Sequence, residues 1–192
     1  MFEAISGLSA AFGLSGSAGL NAYIPLLVVA LAARFPVSDP LVKLQAPYDL
    51  LGSWWAIGLI AVLLVVEIVA DKIPAVDSVN DGIQTFVRPA AGAILFAGSA
   101  NVITDIHPIL SLAAGLLLAG GVHATKAAAR PIVTVSTAGV GNPVVSTLED
   151  IVATVVSLLA VVLPIIAAVL LLGFILFVII TIRRWRRRKM VM

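Results

Sequence analysis

The sequence predicts an all-α membrane protein, a polytopic helical bundle in a single transmembrane domain over residues 1–182. The composition is the first observation, because 61% of the residues are hydrophobic and only 11% are charged, whereas soluble proteins carry about 25% charged residues. The mean hydropathy of +1.15 agrees with this. The apolar runs supply about five or six segments suited to crossing the ~30 Å hydrocarbon layer. These observations exclude a soluble globular core.

The first apolar run, residues 4–33, is interrupted by the glycine- and serine-rich segment 13–21. Small residues allow helices to approach closely, and they also permit local unwinding at a binding site. Two structures fit: one long tilted helix with a loosened centre, or a short entry helix followed by a spanning helix over 20–34. Asn21 and Tyr23 follow the glycines, which makes both of them candidate site residues.

The next elements follow from tryptophan and proline positions. Residues 36–52 contain three prolines and mixed charge, which is typical of an interfacial loop with one short turn. Residues 53–70 are the next predicted span, opened by Trp54 and Trp55 as an interface anchor. Pro74 disfavours helix at the residue before it, so we expect a break there and a new helix over 75–100.

The second half begins with a span over 108–129 that is rich in small residues. Lys126 and Arg130 lie at its end and are expected to face lipid headgroups. Residues 131–145 are expected to form a connector. Within it, Asn142 and the proline after it are typical of a helix start, with Asn142 as the N-cap.

The last helix carries Glu149 and Asp150 in its first turns, where they suit the helix dipole. Residues 151–182 contain no charged side chain. As one helix they would be ~48 Å long, so Pro164 either kinks this helix or divides it into two spans.

The C-terminal segment 183–192 is a basic tail. The positive-inside rule assigns such a segment to the cytoplasm, and a basic cluster beside a membrane binds anionic lipid headgroups. This position explains the charge without nucleic acid. The predicted lipid-binding residues are Arg183, Arg184, Arg186, Arg187, Arg188 and Lys189.

A short internal similarity suggests two repeats, over residues 4–100 and 108–182. GLNAYIPLLVV (19–29) resembles GVHATKAAARP (121–131), and ADKIPAV (70–76) resembles VVLPIIA (161–167). The alignment sets Asn21 opposite His123. Three spans in each half would give inverted topology, as in many secondary transporters; chance similarity between apolar sequences is the alternative.

The segment 67–88 concentrates six ionisable side chains directly after an apolar span. Such groups cost about 2.5–3.5 kcal/mol each inside a membrane, so they mark a function or a paired structural lock. Glu67 and Asp71 share one helix face because they are four residues apart, and so do Asp77 and Asp81. Close carboxylates of this kind suit a proton or cation relay.

Each of these residues also has a structural interpretation. Arg88 either pairs with a carboxylate or grips an anion. Asp71 and Lys72 are expected to mark the membrane boundary, and Glu67 is alternatively held by Lys72 or Arg88. A histidine in a span, such as His123, commonly forms a hydrogen bond to a neighbouring helix.

No catalytic motif is present. The chain has no cysteine and two histidines, which excludes disulfides, thiolate metal sites and a cysteine nucleophile. HExxH, GxSxG and phosphate-binding glycine loops are missing from the sequence. We therefore predict no enzyme activity, no metal and no cofactor.

Three segments resemble a known family. GLNAYIPLL (19–27), the stretch from ADKIP to VRPAAGA (70–93) and GVGNPVVSTLED (139–150) are similar to a bacterial membrane family of unknown function, DUF4126. The resemblance covers most of the chain and is most specific over 71–92. It implies a multi-span protein of the bacterial inner (plasma) membrane and no particular activity.

The leading hypothesis is a small-solute or ion transporter or channel, a homo-oligomer because six spans enclose little volume. Its partners would be membrane lipids and an unknown small solute or ion. The alternative is a non-transporting scaffold or lipid-binding protein whose intramembrane charges are structural pairs. The candidate path residues are Asn21, Tyr23, Glu67, Asp71, Asp77, Asp81, Arg88, His123 and Glu149.

Overall fold

The computed structural model describes residues 2–35, 44, 46–99, 107–164 and a few single residues up to 183. This part of the chain is helical, with no strand, so the predicted all-α class is confirmed. The helices are α1 (Phe2–Ala18), α2 (Tyr23–Arg34), α3 (Trp54–Ala70), α4 (Pro74–Ser99), α5 (Pro108–Thr137) and α6 (Asn142–Val162). A short 3-10 turn, Tyr48–Gly52, precedes α3.

The first apolar run folds as a helical hairpin. The chain breaks at residues 19–22, close to the second predicted alternative, but α2 turns back beside α1 and has only 12 residues. Arg34 stacks on Trp54 at 5.0 Å, and Phe12 of α1 packs against Phe96 near the end of α4. Helix α1 therefore begins, and helix α2 ends, at the Trp54 end of the bundle. We call residues 19–22 the hairpin tip.

Helix α1 lies at the centre and contacts α2, α4, α5 and α6. Its serines make this close packing possible: Ser15 Oγ donates to the Gly92 carbonyl at 2.5 Å, and Ser17 Oγ donates to the Ala153 carbonyl at 2.8 Å. A Cβ on Gly19 would lie 2.6 Å from the Ala119 carbonyl oxygen, so only glycine fits there. The hairpin tip is thus wedged against α5.

Helices α3 and α4 match their predicted bounds. Ser53 caps α3 by accepting from Ala56 N, and the break before Pro74 separates the two helices. The short turn expected in the interfacial segment is Tyr48–Gly52, while residues 36–43 and 100–106 lie outside the described part of the chain.

The predicted connector over 131–145 is wrong. Helix α5 continues through Pro131 to Thr137, and the turn is confined to 138–141, where Ala138 and Gly139 have positive φ angles of 51° and 85°. A proline within a helix removes one backbone hydrogen bond. The helix nevertheless continues past Pro131, and the preceding residue, Arg130, pairs with Asp81 and Glu149.

The predicted cap of α6 is also wrong. Gly141 is the N-cap, and the Asn142 side-chain oxygen instead accepts from Thr134 Oγ1 at 3.1 Å. No acidic residue lies in the first turn of α6, so Glu149 and Asp150 do not serve the dipole as expected. At the other end α6 stops at Val162, and Leu163 leaves helical geometry, so the chain breaks at Pro164.

The exterior of the helices is apolar, and the interior combines an apolar core with buried charges. Large apolar side chains point outward along α3 to α6, for example Val62, Phe86, Leu117 and Val155. Beside a core that includes Leu14 and Leu95, the interior holds Glu67, Gln84 and Arg88, each no more than 1% exposed. By length and composition, α5 and α6 are long and apolar enough to cross a membrane, and α2 and α3 are shorter apolar helices.

Candidate functional site

A buried polar cluster occupies the space between the hairpin tip and helices α3 to α6. We call it the central network. Its members are Asn21, Tyr23, Glu67, Asp71, Asn80, Asp81, Gln84, Thr85, Arg88, His123, Lys126, Arg130, Ser146, Glu149 and Asp150.

Asn21 builds the hairpin tip. Its side-chain oxygen accepts from the backbone N–H groups of Tyr23 and Ile24, both at 3.0 Å, which caps the start of α2. Its amide nitrogen donates to Asp150 Oδ1 at 3.0 Å. The buried Asn21 side chain therefore caps the start of α2 and ties the hairpin tip to α6.

Glu67 and Arg88 form the innermost ion pair. Arg88 Nη2 lies 2.9 Å from Glu67 Oε1, and both side chains are almost fully buried. The sequence offered Lys72 and Arg88 as partners for Glu67, and the ion pair is with Arg88. An intramolecular lock is therefore what the geometry displays, and it joins the last turn of α3 to the middle of α4.

His123 completes this lock from α5. Its Nδ1 is 3.0 Å from Arg88 Nη1, and its Nε2 is 3.1 Å from Thr85 Oγ1. Arg88 can only donate, so Nδ1 accepts and the imidazole is neutral with its proton on Nε2. Thr85 accepts that proton's hydrogen bond and donates its own hydroxyl to the Asp81 carbonyl at 2.9 Å.

Asp71, predicted to mark the membrane boundary, is buried at the C-terminal end of α3. It is 2% exposed, and its two oxygens accept from Asn80 Nδ2 at 2.9 Å and from Ser146 Oγ at 2.6 Å. Lys72 is less buried and donates to Thr147 Oγ1 at 2.8 Å. The last residue of the α3 segment is thereby attached to both α4 and α6.

Lys126 and Arg130 do not face lipid headgroups as predicted. Both are buried in the interior, where Lys126 Nζ lies 2.8 Å and Arg130 Nη2 3.4 Å from Glu149 Oε2. Arg130 Nε is also 3.8 Å from Asp81 Oδ2. The prediction failed because α5 does not end at Pro131, so these cations lie well inside the helix.

The helices that carry the central network present apolar side chains on their outward faces. Val79 of α4, Val135 of α5 and Val144 of α6 are exposed, as are Val62 of α3 and Leu117 of α5. The charged side chains are therefore enclosed by helices whose outward faces carry apolar residues.

Within the described part of the chain, buried polar atoms of the central network that have no hydrogen-bond partner include Glu67 Oε2, Asp81 Oδ1, Gln84 Oε1 and Arg88 Nε. Tyr23 begins α2 at the edge of the same network, where its backbone N–H donates to Asn21 Oδ1. Leaving such a group unpaired costs about 1–3 kcal/mol. This part of the network retains unused donors and acceptors.

Eight of the nine candidate path residues thus come together in one network, since only Asp77 has a side chain outside the described part. Of the predicted lipid-binding residues, Arg183 is exposed and residues 184–189 lie outside it. Sequence reasoning gave no site role to Lys126, Arg130 or Asp150. A signal was available: His123, Lys126 and Arg130 recur at helical spacing on one face of α5, which marks an inward polar stripe.

The comparisons with known proteins identify a family. The sequence model of a family described as Domain of unknown function (DUF4126) matches residues 8–184. This confirms the resemblance carried by the segments around Asn21, Arg88 and Glu149. No curated protein and no solved structure matches the chain.

Proposed function

We propose that this chain, which belongs to the DUF4126 family, is an integral membrane protein that moves a small polar solute or ion past the central network. The observation that carries the proposal is a charged interior inside an apolar exterior. We further propose a homo-oligomer in the bacterial inner membrane, with the basic tail in the cytoplasm, where it binds anionic lipid.

The distribution of side chains supports insertion as a polytopic bundle. A soluble protein seldom exposes a contiguous apolar patch of more than a few hundred Å², yet apolar side chains cover the outward faces of four helices here. Lipid is the solvent that such faces suit. In that setting α3 and α4 cross the membrane beside α5 and α6, and the α1–α2 hairpin enters and leaves on one side.

The hairpin tip supports transport over a purely structural role. Non-helical backbone at membrane depth is tolerated where it is buried in protein or lines a cavity, and broken helices form the substrate sites of many transporters. Here Asn21 of the tip donates a hydrogen bond to Asp150, and Lys126 Nζ lies 3.4 Å from the Leu20 carbonyl oxygen. The unused atoms of Glu67, Gln84 and Arg88 supply further places for a polar solute.

Flux measurements on purified protein in liposomes test this proposal. A panel of Na+, K+, H+ and small polar metabolites would be screened for uptake against protein-free vesicles. The informative variant is the double change Glu67→Leu with Arg88→Met, because it removes both charges together and avoids leaving one of them unpaired. Val62→Ala on the exposed face of α3 is the matched control.

We expect the wild type and Val62→Ala to conduct at least one solute and the double variant to lose at least about tenfold of that flux. Equal flux through the double variant would contradict a path at the central network. No flux from any solute in the panel, with correctly inserted protein, would contradict transport by this chain.

A structural scaffold is the second candidate, favoured by the completeness of the Glu67–Arg88–His123 lock. Under this hypothesis the charges fix the helices in register, and the basic tail docks the protein on anionic lipid. Deleting residues 184–192 would then abolish binding to anionic vesicles. The double variant would be altered in stability or assembly only, and no solute would move through the wild type.

A further inference from the structure

The hairpin tip leaves three consecutive backbone carbonyl groups without their helical donors. In a continuous helix, Tyr23 N and Ile24 N would donate to the carbonyls of Gly19 and Leu20. Both instead donate to the Asn21 side chain. The carbonyl of Asn21 loses its donor as well, because residue 25 is proline and has no N–H.

A cation already lies beside one of these oxygens. Lys126 Nζ is 3.4 Å from the Leu20 carbonyl oxygen and 2.8 Å from Glu149 Oε2. The Lys126 side chain is only 3% exposed, so the ammonium is taken out of water. It also lies at the C-terminal end of α1, where the helix dipole favours positive charge.

Two carboxylates lie at the same tip. Glu149 contacts Lys126 directly, and Asp150 is bound to Asn21. Backbone carbonyl and carboxylate oxygens are the ligands that hard cations prefer, and exposed carbonyls at broken helices bind Na+ in several transporter folds.

We propose that the hairpin tip is a monovalent-cation site, built from the carbonyl groups of residues 19–21 and the carboxylate of Glu149, in which the Lys126 ammonium is a tethered occupant. A free Na+ or K+ ion competes with this ammonium for the same oxygens. Cation binding at the tip does not depend on the proposed function. The further step from binding to transport does rest on it, and there the transported solute would be a monovalent cation.

Arg130 provides a matched comparison within the same helix. It lies one turn beyond Lys126 and also contacts Glu149, at 3.4 Å. Arg130 also pairs with Asp81, at 3.8 Å, whereas the hydrogen bond to the Leu20 carbonyl comes from Lys126. A site at the tip should therefore respond to loss of Lys126 and not to loss of Arg130.

The test is the thermal stability of full-length purified protein in detergent, with choline, Na+ or K+ chloride at equal ionic strength. Lys126→Ala should be destabilised in choline and gain about 5 °C in Na+ or K+ at concentrations 10- to 100-fold above Kd. The gain should saturate and disappear on adding Glu149→Gln. Arg130→Ala should respond equally to all three salts, and the wild type only weakly.

Lys126→Gln is the second variant, since it keeps a donor for Leu20 but removes the charge. It should show the same preference for Na+ or K+ over choline. The proposal is overturned if both variants behave alike in all salts, if neither folds even in Na+ and K+, or if Arg130→Ala gains as much. Cation binding without flux would instead contradict transport, and flux of another solute without cation binding would contradict only this site.

Discussion

Glu67 and Arg88 illustrate how a single buried pair depends on both of its members. The two side chains lie 2.9 Å apart and are shielded from water. Removing one partner of such a pair leaves an uncompensated charge, whereas replacing both with apolar groups is often neutral or stabilising. The energetic role of the pair is therefore visible only when single and double substitutions are compared.

We predict that Glu67→Gln lowers the free energy of unfolding by about 3–5 kcal/mol and that Glu67→Leu with Arg88→Met recovers most of it. Reversible denaturant unfolding in detergent would measure both, with Val62→Ala as an exposed control. A Glu67→Gln variant as stable as the wild type would contradict the prediction. That result would mean that Glu67 carries no charge in the folded protein.

At the scale of helices, α4 and α5 approach so closely that they meet backbone to backbone. A Cβ added to Gly92 would clash with the Ala119 side chain and lie 2.8 Å from the Gly115 carbonyl oxygen. Gly115 is equally enclosed, by the Gly92 carbonyl and the Phe96 Cβ. This crossing fixes the separation of the helices that carry Arg88 and His123, and so it sets the geometry of the lock.

Substitution at this crossing should therefore be costly. Gly92→Leu is expected to destabilise by about 3 kcal/mol or more through overpacking, seen as loss of folded protein on size-exclusion chromatography in detergent. Gly121→Leu, in the same helix α5, is the control because nothing lies within 4 Å of its added Cβ. Similar losses in both variants would show that α4 and α5 do not cross at Gly92.

The same scale shows where sequence reasoning worked and where it stopped. The Trp54 anchor and the break at Pro74 bound α3 and α4 closely, because local chemistry determines both. Pro131 misled the prediction of α5, since a proline commonly ends a helix, whereas α5 continues past it to Thr137. Lys126 and Arg130 were consequently predicted to lie at the end of a helix and face lipid headgroups, although both are buried inside the bundle.

The central network itself was only partly predictable. The cluster over 67–88 is visible in the sequence as ionisable residues beside an apolar run, and eight of the nine candidate path residues, inside and outside this cluster, lie near one another. The pairing of these residues could not be predicted, because the choice between Lys72 and Arg88 as the partner of Glu67 depends on how α3 and α4 cross. The turning back of α2 likewise depends on contacts of Asn21 with α6, far along the chain.

For the whole molecule, the proposed bilayer environment explains the apolar outward faces of the helices. Val62, Leu117 and Val155 are exposed, while the side chains of Glu67 and Arg88 are enclosed. In water, the exposed faces would leave apolar area unburied, at a cost of about 25 cal/mol per Å². In the proposed bilayer the same faces meet hydrocarbon, and the interior charges find partners within the network.

The natural chain has no cysteine, so single introduced cysteines report this environment without background. In intact membranes, Val62→Cys, Leu117→Cys and Val155→Cys should resist a membrane-impermeant maleimide, because these positions face lipid. Asp49→Cys in the 3-10 turn and Val140→Cys in the α5–α6 turn should react, from opposite sides of the membrane. All five should react fully after unfolding in detergent, which controls for intrinsic reactivity.

Two outcomes would overturn different parts of the arrangement. Rapid labelling at Val62 and Leu117 would mean that the apolar faces meet water, and it would contradict membrane insertion of α3 and α5. Labelling of Asp49→Cys and Val140→Cys from the same side would leave insertion intact. It would contradict a bundle in which α5 crosses from one end to the other, and the central network would then no longer lie on a route between two compartments.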